Sequence, residues 1–240
     1  MQVQLFGSRL SPFVEKVVRA LALKQVLFTL IDVKRPRDFQ RWNPVAGKMP
    51  VLDVDGERTF DSTFILRKLD VLVSEPPLFA TDPDVAARQR FLEDWSDESL
   101  YWYGMGLRWS AANADATVAQ VIGSMPIPSP LRPLVGTIFR RRVTAQARAQ
   151  GLARLPLDVL VTELAARLDE ILVWLGDRPF LFSGQPSAAD LAIFGQLWML
   201  RSGPTPQAAT LIDERRALCA YYDRLDAATD PNARGSFAAA

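Results

Sequence analysis

Short apolar runs alternate with amphipathic stretches over the first third of the chain. Gln2–Phe6, with Val3, Leu5 and Phe6 apolar, is predicted as a short strand. Val14, Val17, Val18, Leu21 and Ala22 then recur at the spacing of one helix face. Ser11-Pro12 just ahead of them is a helix start, because serine caps and proline at the first helical position has no N–H to leave unpaired. Val26–Val33 reads as a second strand and Arg35–Trp42 as a short polar helix. Met49–Val54 and Glu57–Phe60 form a hairpin across Asp55-Gly56, a strong turn pair. Phe64, Ile65, Leu69 and Leu72 share a face of a further helix that starts at Asp61 or Ser62. The order is β-α-β-α-β-β-α, in which the first βαβ unit requires parallel strands and the hairpin adds antiparallel ones.

Beyond this point the pattern is helical throughout. Ser74-Glu75-Pro76-Pro77 and Thr81-Asp82-Pro83 punctuate the chain, and residues 76–83 are predicted as a linker between domains 1–75 and 84–228. Asp84–Ser110 carries one long helical pattern, with Trp95, Trp102 and Trp109 on a common core-facing side. Tyr101 and Tyr103 lie off that side. Ser124–Pro133 holds four prolines and is predicted to be irregular. Phe139–Ala149 is a basic helix whose Arg140-Arg141-Arg142 run is a solvated face. Leu157–Leu175, Ser187–Leu200 and Leu211–Leu225 are three more helices, the middle one nearly apolar and therefore buried. Ser187 with Asp190 forms a variant capping box. Residues 229–240 are predicted as a flexible tail.

Composition narrows the chemistry. The 240 residues include no histidine and one cysteine, Cys219, so a Ser-His-Asp triad, a Cys-His pair, a histidine zinc site and an internal disulfide are excluded. Lysine and arginine total 28 against 27 acidic residues, which is no basic field for nucleic acid. No apolar run reaches the ~18 residues of a membrane span, no targeting segment is visible, and a lone cysteine fits a cytoplasmic setting.

Three local signals, in this order and at these distances, carry a resemblance. They are Ser11-Pro12-Phe13 opening the first helix, Lys48-Met49-Pro50-Val51-Leu52 followed by a hairpin and Asp61-Ser62-Thr63, and Ser187-Ala188-Ala189-Asp190 opening a buried helix after Pro179–Gly184. Together they resemble the glutathione transferase superfamily over roughly residues 1–225. The resemblance implies a thioredoxin-like α/β domain followed by an all-helical domain. It implies glutathione as co-substrate, no metal, a hydrophobic electrophile as second substrate, detoxifying conjugation and a homodimer. Lys48, Met49, Pro50, Asp61 and Ser62 match the glutathione-binding positions. Asp61 stands where the family more often has glutamate. Ser11 matches the residue that holds the thiolate in serine-type members, with Ser8 as the competing hydroxyl. Leu175–Phe182, together with Asp61–Ile65, also resembles the failed-axon-connections and metaxin-like subgroup. A non-catalytic binding protein of the same fold and a glutathione-dependent isomerase or dehalogenase therefore stand beside the transferase reading.

Overall fold

A computed structural model describes residues 1–237. Strand β1 (Val3–Phe6) lies inside a four-stranded sheet of order β2-β1-β3-β4. It pairs in parallel with β2 (Thr29–Ile31) and antiparallel with β3 (Val51–Val54), which pairs antiparallel with β4 (Glu57–Phe60). Helix α1 (Pro12–Leu23) crosses between β1 and β2, α2 (Pro36–Trp42) follows β2, and α3 (Ser62–Leu72) follows β4. Asp55 and Gly56 both take positive φ in the hairpin turn, and Asp53 Oδ1 accepts the Gly56 N–H at 2.8 Å.

The helical domain begins with α4 (Pro83–Trp95), whose cap Asp82 accepts the N–H groups of Asp84 and Val85. The helix runs through a π-helical segment at Ser96–Leu100 into α5 (Tyr101–Arg108). Then come α6 (Ala114–Ser124), α7 (Arg132–Gln150), α8 (Leu157–Leu175), α9 (Ala188–Ser202), α10 (Pro206–Asp213) and α11 (Arg216–Thr229). Leu164, Leu168, Ile193, Leu197, Tyr221 and Leu225 from α8, α9 and α11 form the centre of its core.

Several expectations change. The second strand is shorter than Val26–Val33. It is an edge strand whose ladder with β1 covers only Gln4–Phe6, and Phe28 pairs instead with Phe237. The last predicted helix is two, α10 and α11, broken at Glu214-Arg215. There the Arg215 guanidinium grips Asp169 of α8 at 2.7 and 3.0 Å. Helix α6 has no counterpart among the predicted elements, and α7 starts inside the proline-rich stretch, with Pro133 in its first turn. Residues 76–83, expected as the linker, are anchored at Leu78 and Phe79. Leu78 is buried in the sheet domain's core, and Asp70 accepts the N–H groups of Leu78 and Phe79. The expected flexible tail is docked as far as 237. Ser236 O accepts the Phe28 N–H at 2.9 Å, and Phe237 packs on the Phe28 ring. Residues 238–240 lie outside the described part.

Asp190 ties three elements together. Its carboxylate accepts the Ser187 N–H at 2.8 Å, the Ser187 hydroxyl at 2.6 Å, the Leu181 N–H at 2.9 Å and the Tyr221 hydroxyl at 2.7 Å. Burial raises the Asp190 pKa, and these donors oppose that shift. Removing the carboxylate leaves several buried donors unmatched. Asp190→Ala is therefore expected to cost on the order of 3–5 kcal/mol in unfolding free energy. Ser187→Ala, which removes only one donor at the helix start, is expected to cost about 1 kcal/mol. Chemical denaturation of both variants checks this, and equal losses would remove Asp190 as the central node.

Candidate active site

The sheet register gathers three chain segments at one end of the sheet. Phe6 pairs with Val51, and Val51 pairs with Phe60. The segment after β1, the segment before β3 and the segment after β4 therefore leave the sheet side by side. They are Gly7–Ser11, Lys48–Pro50 and Asp61–Ser62, and they contain every site residue singled out from the sequence. Gly7 stands where two of them touch. A Cβ there would lie 2.5 Å from a Val14 methyl carbon and 3.4 Å from Met49 Cβ, at a φ of +150°. Only glycine suits that approach.

Ser11 is the N-cap of α1, in extended backbone, and its side chain makes no capping hydrogen bond. Among the described residues this half-buried hydroxyl has no hydrogen-bond partner, and it stands at the positive end of a twelve-residue helix. Ser8 is engaged locally. Its Oγ accepts the Leu10 N–H at 3.4 Å, and its carbonyl accepts the Ser11 N–H at 2.9 Å.

Met49-Pro50 is a cis peptide. Met49 lies just outside β3, and among the described residues its N–H and C=O make no backbone hydrogen bond. Lys48 is exposed beside it, its carbonyl held by Asn43 Nδ2 at 2.9 Å. Asp61 turns the chain from β4 into α3 at a φ of +73°, a conformation that costs a non-glycine residue on the order of 1–3 kcal/mol. Its Oδ1 caps α3 by accepting the Thr63 N–H at 2.9 Å. Ser62 is buried, and its Oγ accepts from Lys16 Nζ at 3.4 Å, which leaves the hydroxyl proton free to donate.

Lys16 links this corner to the helical domain. Buried in α1, its ammonium meets Glu93 of α4 and Asp97 of the π-helical segment, the latter at 2.7 Å. Thr63 also donates to Glu93, at 2.6 Å. One cation thus faces two buried carboxylates. Burial, with smaller repulsion from Glu93 and Asp61, lifts the Asp97 pKa to about 6, against the pull of Lys16. Desolvation disfavours the charged Lys16, but Asp97 and Glu93 outweigh it and the Lys16 pKa is raised. The second Asp97 oxygen, Oδ1, is buried without a hydrogen-bond partner among the described residues.

Helix α5 meets the start of α1. Tyr101 places its ring 4.9 Å from Phe13, two residues beyond Ser11, while Tyr103 points into the helical core. The π-helical segment decides between the two tyrosines, because its wider turn re-phases every residue after Ser96. It also breaks the expected tryptophan face. Trp95 packs on the helical core, Trp102 lies beside Tyr101, and Trp109 packs against Phe139 of α7.

Two family models match the chain, "Glutathione S-transferase, N-terminal domain" over residues 10–72 and "Glutathione S-transferase, C-terminal domain" over residues 145–224. The chain belongs to the glutathione S-transferase superfamily. A Rhodococcus sp. (strain AD45) protein named isoprene-epoxide–glutathione S-transferase is 25% identical over 89% of this chain and 93% of its own length. Glutathione S-transferase U3 of Arabidopsis thaliana is 34% identical, but over 50% of this chain and 55% of its own length. Among solved structures, glutathione transferase F7 from Populus trichocarpa superposes with a TM-score of 0.64 at 19% identity, covering 98% of this chain and 99% of that one. The beta-etherase LigF from Sphingobium sp. strain SYK-6 does so with a TM-score of 0.63 at 22% identity, covering 95% and 96%. These likenesses establish the fold.

The transferase motifs lead to Ser11, Met49-Pro50 and Asp61-Ser62, but not to the ions beneath them. Lys16, Glu93 and Asp97 escape sequence reasoning because a charge on an amphipathic helix is ordinarily a solvated one. The available signal is Lys16 lying between Val14 and Val17 on a helix with little polar face, with Glu93 and Asp97 one turn apart. Among the described residues no group of three or more acidic or cysteine side chains is placed to hold a metal ion, and no helix is long and apolar enough to cross a membrane.

The Asp97 shift has a definite sign. Its folded pKa of about 6 lies above the ordinary 3.8, so between those values the folded state keeps a proton that the unfolded state has released. Its contribution to stability is complete below about pH 4 and declines as pH rises through 6. Asp97→Asn carries no such decline. The stability of that variant relative to the parent is therefore expected to rise by on the order of 1–3 kcal/mol between pH 4 and 7. Denaturation of both proteins across this range measures it, and parallel curves would refute the shift.

Proposed function

We propose that the chain is a serine-type glutathione transferase that joins the glutathione thiolate to hydrophobic electrophiles, and that Ser11 is its catalytic residue. The observation that carries this reading is the uncommitted Ser11 hydroxyl at the positive end of α1, next to the free backbone of Met49 and the capped start of α3. In this reading Met49 pairs strand-like with the cysteinyl unit through its N–H and C=O. Pro50 shapes that turn. Asp61 meets the γ-glutamyl ammonium, Ser62 and the α3 N-terminus take its carboxylate, and Lys48 takes the glycyl carboxylate. A cytoplasmic location goes with a co-substrate that must stay reduced.

Magnitudes favour such a site. A free thiol near pKa ~8.5 is only a few per cent thiolate at neutral pH, and lowering it by ~2 units takes ~2.7 kcal/mol. A hydroxyl donating to a charged acceptor supplies ~1.5–3 kcal/mol, and a helix N-terminus adds ~0.3–1 kcal/mol. The thiolate attacks the electrophilic carbon, the S–C bond forms, and the leaving group, or an epoxide oxygen, departs with the electron pair. Phe13 and Tyr101 provide the apolar wall against which the electrophile rests.

Calorimetry with glutathione, paired with ultraviolet titration of the bound thiol, tests the assignment. The parent protein is expected to bind glutathione and lower its thiol pKa by about 2 units, and Ser11→Ala is expected to bind but to lose about 1–2 units of that shift. Absence of binding would leave a non-catalytic protein of this fold. Loss of the shift in Ser8→Ala, with Ser11→Ala unaffected, would move the role to Ser8.

The same reading includes a homodimer. Phe64 and Val71 on α3 and Phe91 on α4 are large apolar side chains left exposed, 57%, 81% and 68% respectively. Light scattering is expected to give about twice the 26.7 kDa chain mass, falling towards one chain in Phe91→Asp. A monomeric parent protein would rule the dimer out.

A further inference from the structure

Every buried lysine or arginine in this protein but one has a carboxylate partner among the described residues. Lys16 has Glu93 and Asp97, Arg19 has Glu15 and Asp226, and Lys24 has Asp70. Arg108, at the C-terminal turn of α5, does not. It is 6% exposed, and no aspartate or glutamate among the described residues pairs with it. Its guanidinium donates to a neutral acceptor, Gln120 Oε1, at 2.8 Å. Burial lowers the Arg108 pKa, and the field of Tyr101 only partly restores it. The carbonyl end of α5 offsets some of that loss. A buried cation lacking a counter-ion is nevertheless an incomplete arrangement, since removal of a charge from water is compensated by pairing.

The location of Arg108 says what completes it. Tyr101, Met105 and Arg108 are spaced by four and three residues and share one face of α5. Tyr101 meets Phe13, so this face is turned to the start of α1, where Ser11 stands. Side chains on a helix lean towards its N-terminus, so the Arg108 guanidinium reaches back towards Tyr101, whose field acts on it. A molecule lying along the face therefore meets an apolar contact near Ser11 and a cationic one beyond it. The guanidinium is held from behind by α6. Gln120 takes its hydrogen bond, and Thr117 Oγ1 donates to the Arg108 carbonyl at 2.8 Å. Helix α6 belongs to the stretch between the two matched family segments, residues 73–144, so the support of Arg108 comes from the part of the chain that neither family model covers.

We propose that Arg108 is a specificity-determining residue of the co-substrate pocket and that the protein prefers an aromatic or apolar electrophile bearing a carboxylate at its far end. This rests on the transferase reading for the word electrophile, but the anion site itself does not. The planar guanidinium suits a carboxylate because it offers paired donors to both oxygens. The anionic end orients the molecule with its reactive carbon towards Ser11, and glutathione occupies the other side of the cleft.

Two unreactive probes of one skeleton, nitrobenzoate and nitrobenzamide, isolate the charge. Their binding is measured by calorimetry on the full chain, with and without glutathione, for the parent protein, Arg108→Gln and Arg108→Lys. Turnover of the chlorinated pair, chloronitrobenzoate and chloronitrobenzamide, is measured with glutathione present. The parent protein is expected to bind the acid about 10- to 100-fold more tightly than the amide. Arg108→Gln is expected to abolish that preference, raising Kd and KM for the acid alone. Arg108→Lys is expected to keep part of it, and glutathione affinity is expected to be unchanged in both.

Equal binding of acid and amide by the parent protein overturns the proposal, whatever the variants do. So does an equal loss of both probes in Arg108→Gln, which would make Arg108 a clamp between α5 and α6. Should glutathione fail to bind while the arginine-dependent preference for the acid persists, the transferase reading falls and the anion site stands. Glutathione binding with a shifted thiol but no preference for the acid removes the anion site and leaves the transferase reading in place.

Discussion

Helix α1 is enclosed on nearly every side, and the rest of the structure is arranged around that constraint. Eleven of its twelve residues are buried, among them Glu15, Lys16 and Arg19. The sheet covers one flank through Val14, Val17 and Leu21, and α9 covers the other. Gly195 of α9 allows this closeness, because a Cβ there would stand 2.5 Å from the Pro12 carbonyl oxygen. Charges in such a place need partners, and the partners fix geometry. Glu15 is held between Arg9 and Arg19, Arg19 reaches Asp226 of α11 and lies over the Phe194 ring, and Lys16 reaches α4 and the π-helical segment. Breaking one of these buried pairs would strand a charge, so the two domains are locked in orientation through α1. The first turn of α1, with Ser11, has its distance to α5 set by the same lock.

The corner that holds the candidate residues is built on opposed charges. The positive ends of α1 and α3 both open onto it, and Asp61 brings a carboxylate to the surface of the same corner. Beneath lies the Lys16 ammonium with its two carboxylates, one of them Asp97 with a pKa of about 6. Lys16 orients Ser62 by donating to its oxygen, and Thr63 ties the start of α3 to Glu93. The strained backbone of Asp61 persists because its neighbours are held in this way from below. The π-helical segment serves the same corner, since it sets Asp97 towards Lys16 and Tyr101 towards Phe13.

Local chemistry makes much of this legible in the sequence. The hairpin is visible in Asp55-Gly56, the start of α1 in Ser11-Pro12, the start of α3 in Asp61-Ser62, and the α9 cap in Ser187 and Asp190. Each of these rests on residues a few positions apart. The segments that meet at the end of the sheet follow from motif order, and the register then places them together. What stays hidden depends on distant partners. Nothing near Lys16 announces Glu93 and Asp97, more than seventy residues away. The break at Arg215 depends on Asp169 of another helix, and the docking of the tail depends on Phe28. Helix α6 has no strong apolar face of its own and is held by Thr117 and Gln120 against α5.

The absence of histidine acquires a more definite meaning in this setting. With no imidazole in the chain, a thiol bound near Ser11 has no neutral nitrogen base to take its proton. Activation must come from lowering the energy of the anion, which a hydroxyl donor and a helix end do without accepting the proton themselves. A proton released in this way goes to solvent. Such a site works only if the hydroxyl is not spent elsewhere. In this protein Ser11 leaves its capping role unfilled, while Ser8, three residues earlier, accepts a local N–H and keeps its own proton to donate, so position at the helix start separates the two. The positions of the two serines follow from the backbone path between β1 and α1, which Gly7 permits and which the burial of α1 fixes.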